Sequence, residues 1–243
     1  MKDYFSTQSK AYAAFRPTYP DELYEFIFQH VRKREKAWDC ATGNGQVAHH
    51  LAKYFYNVYA TDISVRQLDL AIRKDNIHYS VGRAEQTEFP DHQFDLLTVA
   101  QALHWFAWDD FYKEVRRVSK PGGILAVWGY SLPTIEPAID KLILEFYGDT
   151  VGPYWDSARR LVEDEYRSIE FPFDQIQSPS FAIKVNWTVR QLSGYLSSWS
   201  ATQKYVEENG YDPVEAFIKT VCRHWADDEK KVVFPIFSRI GKV

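Results

Sequence analysis

The stretch Trp38-Asp39-Cys40-Ala41-Thr42-Gly43-Asn44-Gly45-Gln46 reads as the end of a strand, a glycine turn and the start of a helix. Glycines in such a turn let the backbone approach a ligand closely, and the helix that follows presents its first N–H groups to it. One βα unit further on, Asp62 closes the next strand. A carboxylate there is placed to accept the hydroxyl hydrogens of a ribose. Together these features point to a cofactor that contains a nucleoside. They do not say which one, because Gly43-x-Gly45-x-x-Ala48 also satisfies the loose dinucleotide pattern.

Outward from this turn, strands and helices alternate. Pro20 opens a helix that runs to about Val31, with Leu23, Phe26, Ile27 and His30 on one face. Strands are expected over Lys36–Cys40, Asn57–Ile63, Ile77–Val81, Phe94–Ala100 and Ile124–Trp128. Helices are expected between them over Val47–Phe55, Ser64–Arg73 (with Ser64 as cap) and Asp109–Val118. The Phe94 and Ile124 strands are apolar without alternation, as strands covered on both faces are. Lys120-Pro121-Gly122-Gly123 reads as a sharp turn before the fifth strand. This succession gives an α/β fold, a doubly wound and mostly parallel sheet with helices on both faces.

After residue 130 the rhythm changes. Helices are expected over 136–147, 157–169, 189–199 and 213–225, and strands over Phe181–Trp187 and Val232–Ile240. The two late strands bring the sheet to seven, the last added antiparallel, and the helices form a cover. No linker interrupts the chain. The expected organisation is one domain over 1–243: an N-terminal lid (1–20), a cofactor-binding core (36–130), a helical cover with substrate-side elements (136–225) and a last strand (231–243).

Composition narrows the partners. Hydrophobic residues make up 45% of the chain and charged residues 26%, the balance of a soluble globular protein. Aromatics reach 16%; most of them suit a core, and the excess also suits a dry pocket for a flat ligand. The formal net charge of −4 offers no surface for nucleic acid. The one dense basic run, Arg32-Lys33-Arg34-Glu35-Lys36, sits where cations complement a helix end. No apolar run approaches the roughly 20 residues that span a bilayer. Two cysteines, Cys40 and Cys222, imply no disulfide framework and suit a reducing, cytoplasmic compartment. Neither metal-ligand spacing nor a nucleophilic cysteine pattern is present, and nothing speaks to oligomeric state.

The remaining blocks sharpen the reading. Gly82-Arg83-Ala84-Glu85 follows the third strand, and Phe89-Pro90-Asp91-His92-Gln93-Phe94-Asp95 leads into the fourth. Ala100-Gln101-Ala102-Leu103-His104-Trp105-Phe106 ends the fourth, and Lys120-Pro121-Gly122-Gly123 precedes the fifth. In this order and spacing the set resembles the class I S-adenosylmethionine-dependent methyltransferases. Within that class it is similar to the small-molecule branch that includes the trans-aconitate methyltransferase-like proteins. Tyr12-x-x-x-Arg16-Pro17-x-Tyr19-Pro20 and Ser198-Trp199-Ser200-Ala201 fit that branch as well.

The resemblance implies S-adenosyl-L-methionine as cofactor and a small molecule, above all a small carboxylic acid, as acceptor. Arg16, Arg159 and Arg160 are the candidates to bind its carboxylate, and further residues take roles as well. Asp39, Ala41, Thr42, Gly43 and Gly45 would pass under the methionine moiety and ribose. Asp62 would bind the ribose, Ile63 would pack on adenine, and Ala84 and Glu85 would meet the adenine edge. Ala100 and Gln101 would contact the methionine end, while Tyr12 and Arg16 would fold over the cofactor. Tyr19, His104, Trp105 and Trp199 would line the acceptor site, with His104 the candidate general base. Two positions depart from the pattern: Ala41 stands where a glycine is usual, and Arg83 where many members carry an aspartate. Two alternatives stay open at this stage, a nicotinamide-dependent oxidoreductase and a non-catalytic binding protein on the same fold.

Overall fold

A computed structural model describes residues 16–226 and 228–243, so the first part of the expected lid, Tyr12 included, lies outside the described residues. Helix α1 (Asp21–His30) starts behind Pro20 with Asp21 and Glu22 in its first turn, where acidic side chains complement the helix dipole. Its buried stripe is Leu23, Tyr24, Ile27 and Phe28. The expected face was one residue out of phase, since Phe26 and His30 stay half-exposed.

β1 (Lys36–Cys40), α2 (Gln46–Leu51), β2 (Asn57–Asp62), α3 (Val65–Asp69) and β3 (Ile77–Val81) form the first half of the sheet. Ser64 caps α3 as expected, its hydroxyl accepting from the Gln67 amide at 3.4 Å. β4 (Phe94–Ala100), α4 (Trp108–Val118) and β5 (Ser119–Tyr130) continue it. β1 and β4 lie side by side at the centre, and β1, β2, β3, β4 and β5 are mutually parallel. The side chains alternate between two cores. Leu96, Ala126 and Trp128 face α1 and α2. Leu97, Val99, Leu125 and Val127 face α4.

The Lys120–Gly123 segment is a bulge, not a free turn. Phe94 pairs with Ser119 and Leu96 with Ile124, so the intervening residues loop out of the ladder. Gly122 takes φ +76° there, and the Lys120 ammonium holds Asp95 at 2.8 Å and Glu35 at 2.7 Å.

The second half departs further. α5 (Pro137–Glu145) is followed by a short π-helical stretch over Phe146–Thr150 and a 3₁₀ turn over Gly152–Tyr154. α6 covers only Arg159–Glu163, far less than the expected 157–169. Glu165 and Tyr166 break it with φ values of +56° and +59°. The break is held from outside: the Arg239 guanidinium donates to the Tyr166 carbonyl at 2.9 Å and also to that of Ile169. α7 (Val189–Ser197), α8 (Ser200–Asn209) and α9 (Pro213–Val221) complete the cover. The sequence pattern did not reveal α8, because it packs through Ala201 and Thr202, small residues that leave no apolar periodicity.

Three late strands, β6 (Asp174–Ile176), β7 (Phe181–Trp187) and β8 (Lys230–Lys242), bring the sheet to eight strands among the described residues, in the order β3-β2-β1-β4-β5-β8-β6, with β7 also on β8. The expected count of seven missed β6, too short to show a period. β8 is long enough to serve both: β7 pairs with its first half and β6 with its end. No helix among the described residues is long and apolar enough to cross a membrane.

Candidate functional site

The turn after β1 is built around one buried carboxylate. Asp39 accepts from the Thr98 hydroxyl at 2.8 Å, from the Ala48 amide at 3.0 Å and from the Thr42 hydroxyl. Burial dominates its electrostatics and pushes its pKa up to about 6, against the lowering effect of those donors. Asp39 therefore ties β4, the turn and the start of α2 together from beneath.

Above it the backbone runs through left-handed residues: Ala41 at φ +54°, Gly43 at +57° and Gly45 at +81°. Only glycine adopts such angles without penalty. Gly45 is doubly required, since a Cβ there would stand 2.2 Å from the Tyr79 hydroxyl. In front of Gly43 there is open space, with no atom within 4 Å of where a Cβ would stand.

Asp62 faces this turn from the end of β2. Its carboxylate accepts from the Gly43 amide at 2.8 Å and from the Ser64 amide at 2.8 Å. Ile63 is half-buried beside it. Ala84 is buried, and Glu85 reaches across to accept from the Ala107 amide at 3.1 Å, with the exposed Arg83 guanidinium 3.5 Å away. The ends of β1, β2, β3 and β4 thus converge on one crevice, where ligands bind in open α/β sheets.

Beyond the ends of β4 and β5 lies a second feature, a cavity of about 80 Å³. Gln101 turns the chain there at φ +57°, its side-chain oxygen accepting from the Tyr130 amide at 2.8 Å. His104 and Trp105 enter from the 3₁₀ turn Leu103–Trp105, and Trp155, Asp156 and Arg159 from the segment leading into α6. Tyr195 and Trp199 close it from the α7–α8 junction.

Two guanidiniums face this space. Arg16 donates to the Tyr130 hydroxyl at 2.6 Å and lies over the Tyr195 ring, 5.4 Å from its centroid. Arg159 donates to the Tyr147 hydroxyl at 2.9 Å and stacks on Trp155 at 4.8 Å. His104 contacts the Tyr166 hydroxyl through Nδ1 at 2.8 Å. Burial first, then the Arg159 charge, depresses the His104 pKa to about 3. The ring is therefore neutral throughout the physiological range and weakly basic.

The methyltransferase domain family matches residues 38–127, the segment that carries the crevice. A Dictyostelium discoideum protein named as a methyltransferase is 33% identical, over 99% of this chain and 95% of its own length. A solved methyltransferase structure from Anaeromyxobacter dehalogenans is 33% identical, with a TM-score of 0.87 over 94% of this chain and 98% of that one. A Schizosaccharomyces pombe methyltransferase matches at 26% identity over 96% of this chain and 94% of its own length. The chain belongs to the class I S-adenosylmethionine-dependent methyltransferases. S-adenosylmethionine is its cofactor, and none of these relatives favours the oxidoreductase or the non-catalytic alternative.

Within this methyltransferase, Ala41, Thr42, Gly43, Gly45, Asp62 and Ile63 gather at the crevice, with Ala84 and Glu85 at its far side and Ala100 and Gln101 at the end of β4. Asp39 does not belong with the ligand-facing residues: both its oxygens are engaged beneath the turn, and the side chain is 1% exposed. Ala41 packs against the core cluster of Trp38, Cys40 and Val99. Arg16, His104, Trp105 and Trp199 come together in the cavity. Tyr19 stands behind its wall, packed edge-on against Trp128 at 5.5 Å and beside Tyr130 at 6.2 Å.

Sequence reasoning missed Tyr130, Trp155, Asp156, Tyr166 and Tyr195. Tyr130 was within reach, since it ends the fifth parallel strand on the edge where ligands bind. The others carry no local signal and meet only through the fold.

Proposed function

We propose that this methyltransferase transfers the methyl group of S-adenosylmethionine to a small carboxylic acid bound in the cavity beyond β4 and β5. The cofactor supplies an electrophilic methyl on a sulfonium cation. The chain's own residues supply position and dryness, which an in-line displacement chiefly needs. Asp62 would accept from the ribose hydroxyls, Gly43 would let the backbone pass close by, and Ile63, Ala84 and Glu85 would bound the adenine. Arg16 and Arg159 would hold the acceptor carboxylate, and Trp105, Trp155 and Trp199 would wall it off from water.

The observation that carries this reading is the pairing of Arg159 with a neutral His104 in one small cavity. A carboxylate is already nucleophilic at neutral pH, so its oxygen can displace the thioether without surrendering a proton. An alcohol or amine acceptor would need a base. With its pKa held near 3, His104 is a poor one.

The test is a screen of small carboxylic acids, phenols and amines, read as S-adenosylhomocysteine formed, followed by a pH–rate profile on the best acceptor. A carboxylate acceptor gives a rate that is flat from about pH 6 to 8, because free carboxylates titrate near 4. A rate that climbs through about pH 6.5 and collapses in His104→Ala, with chemistry rate-limiting, would overturn the reading.

A further inference from the structure

Tyr166 has no part in the chemistry just described, yet the chain goes to some length to place it. It is fully buried, it sits at φ +59° where a bulky residue is strained, and its carbonyl is pinned by Arg239 at 2.9 Å. The payload of this arrangement is a single polar contact, the 2.8 Å hydrogen bond between its hydroxyl and His104 Nδ1.

A phenol hydroxyl has one proton to give and lone pairs that accept. The Tyr166 hydroxyl is fully buried, and His104 Nδ1 is its one hydrogen-bond partner among the described residues. A buried O–H without an acceptor is costly, so the hydroxyl sends its proton to Nδ1. A neutral imidazole whose Nδ1 accepts must carry its hydrogen on Nε2. Nε2 is the ring nitrogen left to the cavity that His104 lines. The charged neighbours here are Arg159 and Asp156. Arg159 opposes a second proton on the ring more strongly than Asp156 favours one.

We propose that Tyr166 is a positioning residue that locks His104 as the Nε2–H tautomer, so that the imidazole donates a hydrogen bond to the bound acceptor. Resting on the cavity as acceptor site, this deepens the proposed function. An anion meets three donors there, from Arg16, Arg159 and His104, and the histidine cannot draw a proton from a neutral acceptor. The tautomer itself holds whatever the acceptor proves to be.

The experiment is long-range ¹H–¹⁵N correlation spectroscopy on the full chain with labelled histidine, at pH 6 to 8 without any acceptor, His104 being assigned by its loss in His104→Gln. The wild-type ring should show an acceptor-type Nδ1 and a protonated Nε2. Tyr166→Phe should mix the two tautomers and raise the acceptor KM about three- to tenfold, the worth of one hydrogen bond, with kcat and cofactor affinity held. A protonated Nδ1 in the wild type overturns the proposal, a reading that needs no variant to fold. An unchanged tautomer or unchanged KM in a folded Tyr166→Phe overturns the role of Tyr166. A carboxylate screen that fails while the tautomer pattern holds would sink the substrate class alone.

Discussion

The crevice at the ends of β1–β3 and the cavity beyond β4 and β5 adjoin one another but are built on different principles. The crevice is a backbone device. Three consecutive βα units deliver it, its central turn is held by left-handed residues and the buried Asp39, and Asp62 faces it from the end of β2. The cavity is a side-chain device. Arg16, His104, Arg159 and the Tyr195–Trp199 pair reach it from four separate segments, and Tyr166 supports it from a fifth. A backbone device can be shared by a whole family that uses one cofactor. A side-chain device can be re-equipped for each acceptor without disturbing the sheet.

If the two regions are separable, their variants should fail separately. The largest effect is expected at the crevice. Asp62→Ala removes the proposed ribose acceptor and also frees the Gly43 and Ser64 amides. Charge-assisted hydrogen bonds of this kind are worth about 1.5–3 kcal/mol, so cofactor Kd should rise at least tenfold in a calorimetric titration. Acceptor KM at saturating cofactor should stay near its wild-type value. Unchanged cofactor affinity would remove Asp62 from the site, and an equal loss on both sides would dissolve the distinction between the regions.

Arg159→Gln is the mirror experiment. It withdraws one guanidinium from the cavity but touches nothing in the turn, since its partners are Tyr147 and Trp155. Acceptor KM should rise about tenfold, toward the low end of the same energy range, while cofactor Kd stays fixed. The substitution also lifts one of the causes that depress His104, so the His104 pKa should move up from about 3. A histidine titration that does not move would show that burial alone sets it.

Legibility in the sequence follows the same division. β1, β3, β4 and β7 were readable to the residue: β1 and β4 are short buried runs, and β3 and β7 are half-exposed runs rich in β-branched and aromatic residues between turn residues. The turn of the crevice was readable because its glycines and the two carboxylates Asp39 and Asp62 stand at fixed places in consecutive units. Asp39 was misassigned for a physical reason: at a strand end, a carboxylate that fastens the turn and one that faces a ligand look alike until the hydrogen bonds are traced. The Arg159–Glu163 helix was overestimated because its break lies in Arg239, some seventy residues downstream in β8. Tyr166 and Trp155 became visible only when the chain folded around His104.

A smaller effect tests how tightly the turn is built. Gly45→Ala must place a methyl group against Tyr79, whose hydroxyl donates to the Ile72 carbonyl at 2.8 Å, and must hold alanine at φ +81°. The angle alone costs about 1–2 kcal/mol. Thermal unfolding should show the loss, and cofactor affinity should fall as Asn44 and Gly45 shift. A variant as stable as the wild type would show that the turn adapts more than its geometry implies.

The smallest effect is expected where the sequence departs most visibly from its family, at Ala41. On the pattern alone, a Cβ there intrudes where the backbone should meet the cofactor. In the structure Ala41 is half-buried and packs against the core cluster that covers this face of the sheet, so its methyl group is shared between core and crevice. The residue nevertheless sits at φ +54°, which alanine adopts at a cost of about 1–2 kcal/mol. Replacing it with glycine relieves that strain, but glycine also frees the unfolded chain, at a cost of about 0.4–1 kcal/mol, and the methyl contact with the core is lost. These terms nearly cancel. Ala41→Gly should therefore change stability by less than about 1 kcal/mol and leave cofactor Kd within about twofold. Tighter cofactor binding by tenfold would mean that the methyl group does obstruct the crevice. Unchanged affinity would place the departure among substitutions the backbone device absorbs, and leave acceptor choice to the cavity.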